Sequence, residues 1–288
     1  MNILITGHKG FVGHHFLEKY RDHNIQGIDI KDGNDARDFF KKDFTKSFDV
    51  VIHLAAVVGG RQTIENSPIS VAVDLSIDAE FFSWCLINRP KHIIYFSSSA
   101  AYPIEYQFIN SQIKLKESMI DLDNIRSPDL TYGWAKLTGE YLAKFVSSDI
   151  PVTIFRPFSG YGTNQDLTYP FSSFIDRAKQ RLDPFQIWGD GNQVRDFIHI
   201  KDIVNAVDVC IKEKIYGTFN LGSGIGVSFN NLCDLVCKAC NYKPSIEHLK
   251  AQPTGVMYRV CDPSKMLEFY KPQISLEQGI DMALKGII

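Results

Sequence analysis

A doubly wound parallel α/β sheet is the fold predicted for this 288-residue chain, and three observations predict it. Apolar strand-like runs alternate with helical patterns along the first half of the sequence. The first run passes through a glycine-rich turn directly into a helical pattern. The fourth ends in consecutive serines, and strand C-termini are where a parallel sheet faces its ligand crevice.

Taken in order, Asn2–Thr6 reads as a buried strand, and Gly7-His8-Lys9-Gly10-Phe11-Val12-Gly13 leads from it into a helical pattern over Phe11–Asp22. Glycines at this G-x-x-G-x-x-G spacing let the backbone turn tightly and approach a pyrophosphate, whose charge the helix N-terminus then holds. The second strand, Ile25–Asp29, ends in a carboxylate 22 residues after Gly7. That is near the interval expected for a group gripping the adenosine ribose hydroxyls. Asp29 favours NAD over NADP, because a 2′-phosphate there would meet like charge, although Lys9 and Lys31 soften the preference. Val50–Leu54 is the third strand, followed by a helical pattern over Ile69–Leu86. Ile93–Ser97 is the fourth, and the serines at its end either cap the next turn or orient a substrate oxygen. A helical pattern over Tyr132–Ser147 and a fifth strand over Val152–Arg156 complete the alternation. Gly160–Trp188 and the chain after Gly222 do not continue it, whereas Ile198–Asp202 and Asn205–Ile211 read as a return to the same unit. Pro244–Ile288 has strand-turn-helix character.

Tyr132 and Lys136, four apart on a helix, share one face and form an acid/base device. A free tyrosine titrates near ~10, and a neighbouring ammonium favours its phenolate. Tyr-x-x-x-Lys alone is a common chance spacing; here it follows the glycine turn and the serine-ended strand.

A net charge of −2 and a pI near 6.4 imply no broad nucleic-acid or membrane electrostatics. No apolar run approaches the ~18 residues that span a bilayer, and no signal-peptide pattern opens the chain. A cytoplasmic protein is expected. Of the six cysteines, Cys233, Cys237 and Cys240 interleave with Leu232, Leu235, Val236 and Ala239 at helical spacing, the pattern of small core thiols. A zinc site would need a fourth ligand that is not evident nearby, so no metal is expected.

With these motifs in hand, the chain resembles the extended short-chain dehydrogenase/reductases, in particular their nucleotide-sugar epimerases, dehydratases and reductases. The glycine turn, His53-Leu54-Ala55-Ala56, Ser97 to Tyr102, Tyr132-x-x-x-Lys136, Arg156-Pro157-Phe158, Gly189 to Phe197, Asn220 to Gly224 and Asp262-Pro263-Ser264-Lys265 stand in that family's order. The resemblance implies a Rossmann domain over 1–160 and 196–222, with a smaller C-terminal α/β domain over 161–195 and 223–288 that holds the sugar nucleotide. It implies NAD lined by Gly7, Gly10, Phe11, Val12, Gly13, Asp29, Leu54, Ala55 and Ala56. Tyr132 would be the acid/base, Lys136 would contact the nicotinamide ribose and lower the tyrosine pKa, and Ser98 would hydrogen-bond the reacting oxygen, with Ser99 as the register alternative. Arg195 would meet the substrate pyrophosphate or, alternatively, pair structurally with Asp196. Arg259 is a second candidate whose alternative is a surface arginine. A homodimer through the helices near Asp74–Leu86 and Tyr132–Ser147 is implied as well.

Departures narrow the chemistry. Sugar 4,6-dehydratases carry Asp-Glu where this chain has Ser99-Ala100. Val58-Gly59-Gly60 and Ala101-Tyr102-Pro103 are similar to segments of GDP-fucose synthases and GDP-mannose 3,5-epimerases, yet their catalytic cysteine is replaced by Ala100. Their second acid/base has no evident match in Gly162–Thr168, and deprotonating a carbon needs a positioned base. Asp74 and Ser159 replace asparagines common in the family. What remains is hydride transfer at one carbinol carbon: an NAD-dependent nucleotide-sugar 4-epimerase or, alternatively, an NAD(P)H-dependent 4-ketosugar reductase.

Overall fold

Ile3, Leu4 and Ile5 are fully buried although adjacent side chains of a strand point to opposite faces, so this strand needs cover on both sides. The computed structural model, which describes residues 1–42, 46–110 and 112–287, supplies that cover. Strands Asn2–Thr6, Asn24–Ile28, Val50–His53, Ile93–Phe96, Val152–Pro157 and Gly217–Leu221 form a six-stranded sheet. Every neighbouring pair in it is parallel. Ile3 and Ile5 pack with Phe16, Val204 and Val207, from helices Phe11–Lys19 and Ile200–Glu213. Leu4 packs on the other face with Phe40, Phe81, Trp84 and Ala143, from helices Ala36–Lys42, Val73–Asn88 and Leu130–Val146. The sheet is thus doubly wound, as predicted.

From the first strand the chain runs outward to the edge strand Asn24–Ile28, then crosses back to Val50–His53 on the other side. Between Asn2–Thr6 and Val50–His53 the connections therefore diverge, which opens a crevice at the strand C-termini.

The smaller α/β portion centres on the sheet Gly226–Ser228, Val194–His199, Tyr258–Cys261 and Lys114–Leu115, with Ser159–Tyr161 also pairing to Val194–His199. Helices Pro170–Lys179, Phe229–Ala239 and Leu276–Lys285 bury Phe171, Phe174, Leu232, Val236 and Ile280 in a separate core. Cys233 and Cys237 lie in that core with their sulfurs 3.8 Å apart.

Several element limits differ from the sequence reading. Asp29 falls one residue beyond its strand and caps a short turn, because its carboxylate accepts the Lys31 N–H at 2.9 Å. The helix expected over 69–86 is divided into Pro68–Val71 and Val73–Asn88. Val194–His199 belongs to the smaller sheet, so the return to the large sheet begins with the helix at Ile200. Ile288, the last residue of the expected 223–288 segment, lies outside the described residues.

Candidate active site

At the crevice, the first strand turns at Gly7, whose φ of +72° is left-handed. A Cβ on Gly13 would lie 2.2 Å from the Gly7 carbonyl oxygen, so the helix starts closer to the turn than any other residue allows. A Cβ on Gly7 would fall 2.9 Å from the Ala55 nitrogen, which places Leu54 and Ala55 against the turn. Their N–H groups both donate to Thr6 Oγ1, at 3.2 Å. Gly10 is the residue at which the helix begins, and Phe11 and Val12 pack onto the core behind it. Asp29 stands at the end of the neighbouring strand, where its carboxylate also accepts the Lys9 N–H at 2.8 Å. A tight glycine cradle, an open helix N-terminus and a carboxylate just beyond the adjacent strand fit a dinucleotide.

The second half of the site forms where Leu130–Val146 meets the turn after Ile93–Phe96. A Cβ on Gly133 would lie 2.4 Å from the Ala100 carbonyl oxygen, and one on Gly139 would lie 1.8 Å from the Tyr95 hydroxyl. These two glycines let the helix press onto the sheet end. Ser98 stands at the start of the turn, its hydroxyl accepting the Ala100 N–H at 3.1 Å, and Ser99 beside it is buried. Lys136 is 3% exposed, with its ammonium 5.4 Å from the Tyr95 ring and 6.0 Å from the Tyr132 ring.

Below Lys136 runs a buried polar chain. Thr6 Oγ1 and His53 Nδ1 are 2.8 Å apart, His53 Nε2 and Asp78 Oδ1 are 3.1 Å apart, and the Tyr95 hydroxyl donates to Asp78 Oδ2 at 2.5 Å. Burial alone would raise the Asp78 carboxyl, but Lys136 and the bonds from His53 and Tyr95 outweigh it and hold the group below the usual carboxylate range. Asp74, fully buried, behaves oppositely. Its Oδ1 accepts the Val57 N–H at 2.5 Å, its Oδ2 has no partner, and burial pushes its carboxyl up to about 6 against the pull of Lys136.

One expectation is corrected by these surroundings. The Tyr132 phenol is raised, not lowered: burial dominates, the Asp74 charge adds to it, and Ser98 opposes them. The Lys136 ammonium, 6.0 Å from the ring, does not reverse the sign. A second phenol, Tyr169, lies close enough to Tyr132 for their charges to interact.

Arg195 and Arg259 meet at the start of the same helix, joined by Arg61. Arg259 Nη2 bonds Asp129 Oδ2 at 2.6 Å, and Arg61 Nη1 bonds Asp129 Oδ1 at 2.8 Å. Arg195 donates to the carbonyls of Val194 and Thr254, at 2.9 and 3.1 Å. Burial, then the like charge of Arg259, lowers its guanidinium to about 9, with Asp129 opposing and Arg61 adding to the fall. Neither structural alternative for these arginines holds. Asp196 is taken by the N–H groups of Ser223, Gly224 and Cys261, and the Arg259 side chain is only 13% exposed. Arg61, Asp129 and Asp78 went unread in the sequence. Arg61 directly follows the Val58-Gly59-Gly60 segment already noted there, which is the one signal that pointed to it.

Comparison with known proteins places the chain in a family. The profile of the NAD dependent epimerase/dehydratase family matches residues 3–222. GDP-mannose 3,5-epimerase 1 of Oryza sativa subsp. indica is 28% identical over 308 aligned residues, covering 97% of this chain and 80% of the relative. A putative UDP-glucose 4-epimerase of Methanocaldococcus jannaschii is 27% identical, covering 96% of this chain and 95% of the relative. The solved structure of Thermus thermophilus UDP-glucose 4-epimerase in complex with NAD superposes with a TM-score of 0.84 at 18% identity, covering 99% and 98% of the two chains.

Proposed function

The chain belongs to the NAD dependent epimerase/dehydratase family, and from that premise we propose that it epimerises a nucleotide sugar at C4, with Ser98, Tyr132 and Lys136 as its catalytic residues. NAD is the family's cofactor and, when bound, would supply the hydride acceptor and donor for a substrate carbinol carbon. Gly7, Gly10, Phe11, Val12, Gly13, Asp29, Leu54, Ala55 and Ala56 would hold it. Tyr132 accepts the C4 hydroxyl proton and later gives it back, Ser98 holds the same oxygen, and Lys136 supplies the positive charge that favours the phenolate. Arg195 and Arg259 grip the diphosphate while the sugar presents its other face.

The observation that carries this reading is what surrounds Tyr132. Ser98 and Lys136 adjoin it, while Ala100 offers no proton-exchanging group. In Gly162–Thr168 the one carboxylate, Asp166, is exposed and accepts the Thr168 N–H at 2.8 Å. Chemistry at a carbinol carbon needs no further base, whereas 3,5-epimerisation, the activity named for the rice relative, does. The test is proton NMR of the protein with UDP-, GDP-, dTDP- and CDP-hexoses, catalytic NAD and no reductant. New anomeric signals at constant total sugar nucleotide are expected. A silent panel, with NAD(P)H consumed on a 4-ketosugar nucleotide, would make it a reductase.

The functional unit in this reading is a homodimer. Trp134, Tyr141 and Phe145 form an exposed stripe on Leu130–Val146, and Leu75 and Leu86 are exposed on Val73–Asn88 packed beside it. Two such helix pairs make a four-helix interface. Placement in the cytoplasm accords with six free cysteines. Among the described residues, no helix is long and apolar enough to cross a membrane.

A further inference from the structure

Asp129 is the residue from which the helix of Tyr132 and Lys136 departs, yet its side chain caps no N–H of that helix. Asp, Asn and Ser at this position ordinarily accept such a bond. Here the carboxylate is turned outward and bridges two guanidiniums, at 2.8 and 3.0 Å from Arg61 Nη1 and 2.6 Å from Arg259 Nη2. It is 5% exposed. The next residue, Leu130, has a φ of +55°, which costs a non-glycine residue energy. The helix start is therefore held in an unfavourable form by an ion pair outside the helix.

The guanidiniums carry more charge than Asp129 can neutralise. Arg61 also pairs with Glu65, at 2.5 Å, whereas among the described residues Arg195 pairs with no carboxylate: it donates to two carbonyls and lies 5.7 Å from the Phe229 ring. A Cβ on Gly255 would lie 3.4 Å from Arg61 Nη1 and 3.5 Å from Arg195 Nη2, so both guanidiniums border the same glycine. Three guanidiniums against two carboxylates leave one net positive charge, which suits an incoming diphosphate better than a single carboxylate.

We propose that Asp129 is an internal counter-anion which the substrate's diphosphate displaces from Arg61 and Arg259, making Arg61 a third diphosphate ligand and coupling diphosphate binding to the seating of the Tyr132 helix. This rests on the nucleotide-sugar reading above. Displaced, the Asp129 carboxylate is free to cap the helix, whose first turn is already tied to the Tyr132 region. The Asp129 N–H donates to the Ala100 carbonyl at 2.9 Å, and the Gly133 N–H donates to the Asp129 carbonyl at 3.0 Å.

Calorimetric titration with UDP, GDP and inorganic pyrophosphate, on the NAD-loaded protein, tests it. Asp129→Asn removes the competing charge while keeping the shape, so pyrophosphate binding should tighten about tenfold; Arg61→Gln should weaken it by a similar factor. Kinetically, Asp129→Asn should lower KM and kcat together, since the ligand binds without its coupled effect on Tyr132. Unchanged or weaker binding by Asp129→Asn at unchanged Tm, or unchanged binding by Arg61→Gln, overturns the proposal. Should the single Asp129 variant not fold, the charge-balanced Arg61→Gln/Asp129→Asn double decides instead. It must bind pyrophosphate more tightly than Arg61→Gln alone, and equal or weaker binding refutes the displacement. If the unsubstituted protein binds no nucleoside diphosphate, the nucleotide-sugar reading itself fails. If it binds them and the variants do not diverge, only the role of Asp129 fails.

Discussion

Burial, then the charges of Asp74 and Asp78, hold the Tyr132 phenol up, and Ser98 offsets part of their effect, with the Lys136 ammonium 6.0 Å from the ring. Replacing Tyr132 by Phe should cost about 10²–10⁴ in turnover while leaving NAD binding intact, as read by single-turnover absorbance and calorimetry. Asp74 gives a prediction with a definite sign. An acid whose proton is held more tightly in the folded chain than in the unfolded one adds stability below about pH 4, and that stability is lost as the pH rises through about 6. Asp74→Asn should thus leave Tm nearly unchanged at pH 4 and raise it at pH 8, by the equivalent of about 1–3 kcal/mol. The same change removes a negative charge beside Tyr132, so the limb of the pH–rate profile set by the phenol should move to lower pH. Residues of this kind were legible in the sequence when their role follows from local spacing, as with Tyr132 and Lys136 or the Gly7–Gly13 turn. Arg61 and Asp129 are 68 positions apart, and Arg259 is 130 from Asp129. Only the fold brings these three together, and no short-range pattern encodes their meeting.

The helix Leu130–Val146 is the element on which the site depends, and small residues set its height over the sheet. Gly133→Ala would drive a methyl group into the Ala100 carbonyl, so the helix must lift and the Ser98 to Tyr132 spacing must widen. A kcat falling by more than tenfold with a destabilisation of about 1–3 kcal/mol is expected, measured by kinetics and urea denaturation of the same preparation. Farther along the same helix, Glu140 anchors it to the sheet. Its carboxylate takes Arg156 Nη2 at 2.5 Å and Nε at 2.9 Å and accepts the Ser97 hydroxyl, all of it buried. Glu140→Gln strands the Arg156 charge and should cost about 3–5 kcal/mol in urea, whereas a change at exposed Lys144 should cost little. The existence and type of this helix and of the five leading strands could be read from apolar periodicity. The sheet to which Val194–His199 belongs could not, because its pairing with Tyr258–Cys261 and Gly226–Ser228 is decided by segments distant in sequence.

At the scale of the whole molecule, the proposed reaction uses the large sheet for a cradle and a proton-exchanging end, and the guanidiniums on Val194–His199 and Tyr258–Cys261 of the smaller portion. An anchor at the diphosphate and chemistry some distance away is the arrangement a sugar needs if it is to turn over without leaving. The exposed stripe of Trp134, Tyr141 and Phe145 belongs to this scale too. Light scattering at micromolar concentration should give twice the 32.6 kDa chain mass, and Tyr141→Lys/Phe145→Lys should shift it toward the monomer. The central claim is that the reaction moves a hydride at one carbon and deprotonates none. It is met most directly by running the active sugar nucleotide to equilibrium in D₂O with catalytic NAD and following C3, C4 and C5 by proton NMR. Inversion at C4 with the original hydrogen retained there, and no deuterium at C3 or C5, is the predicted result; solvent deuterium at C3 or C5 of the product would contradict it.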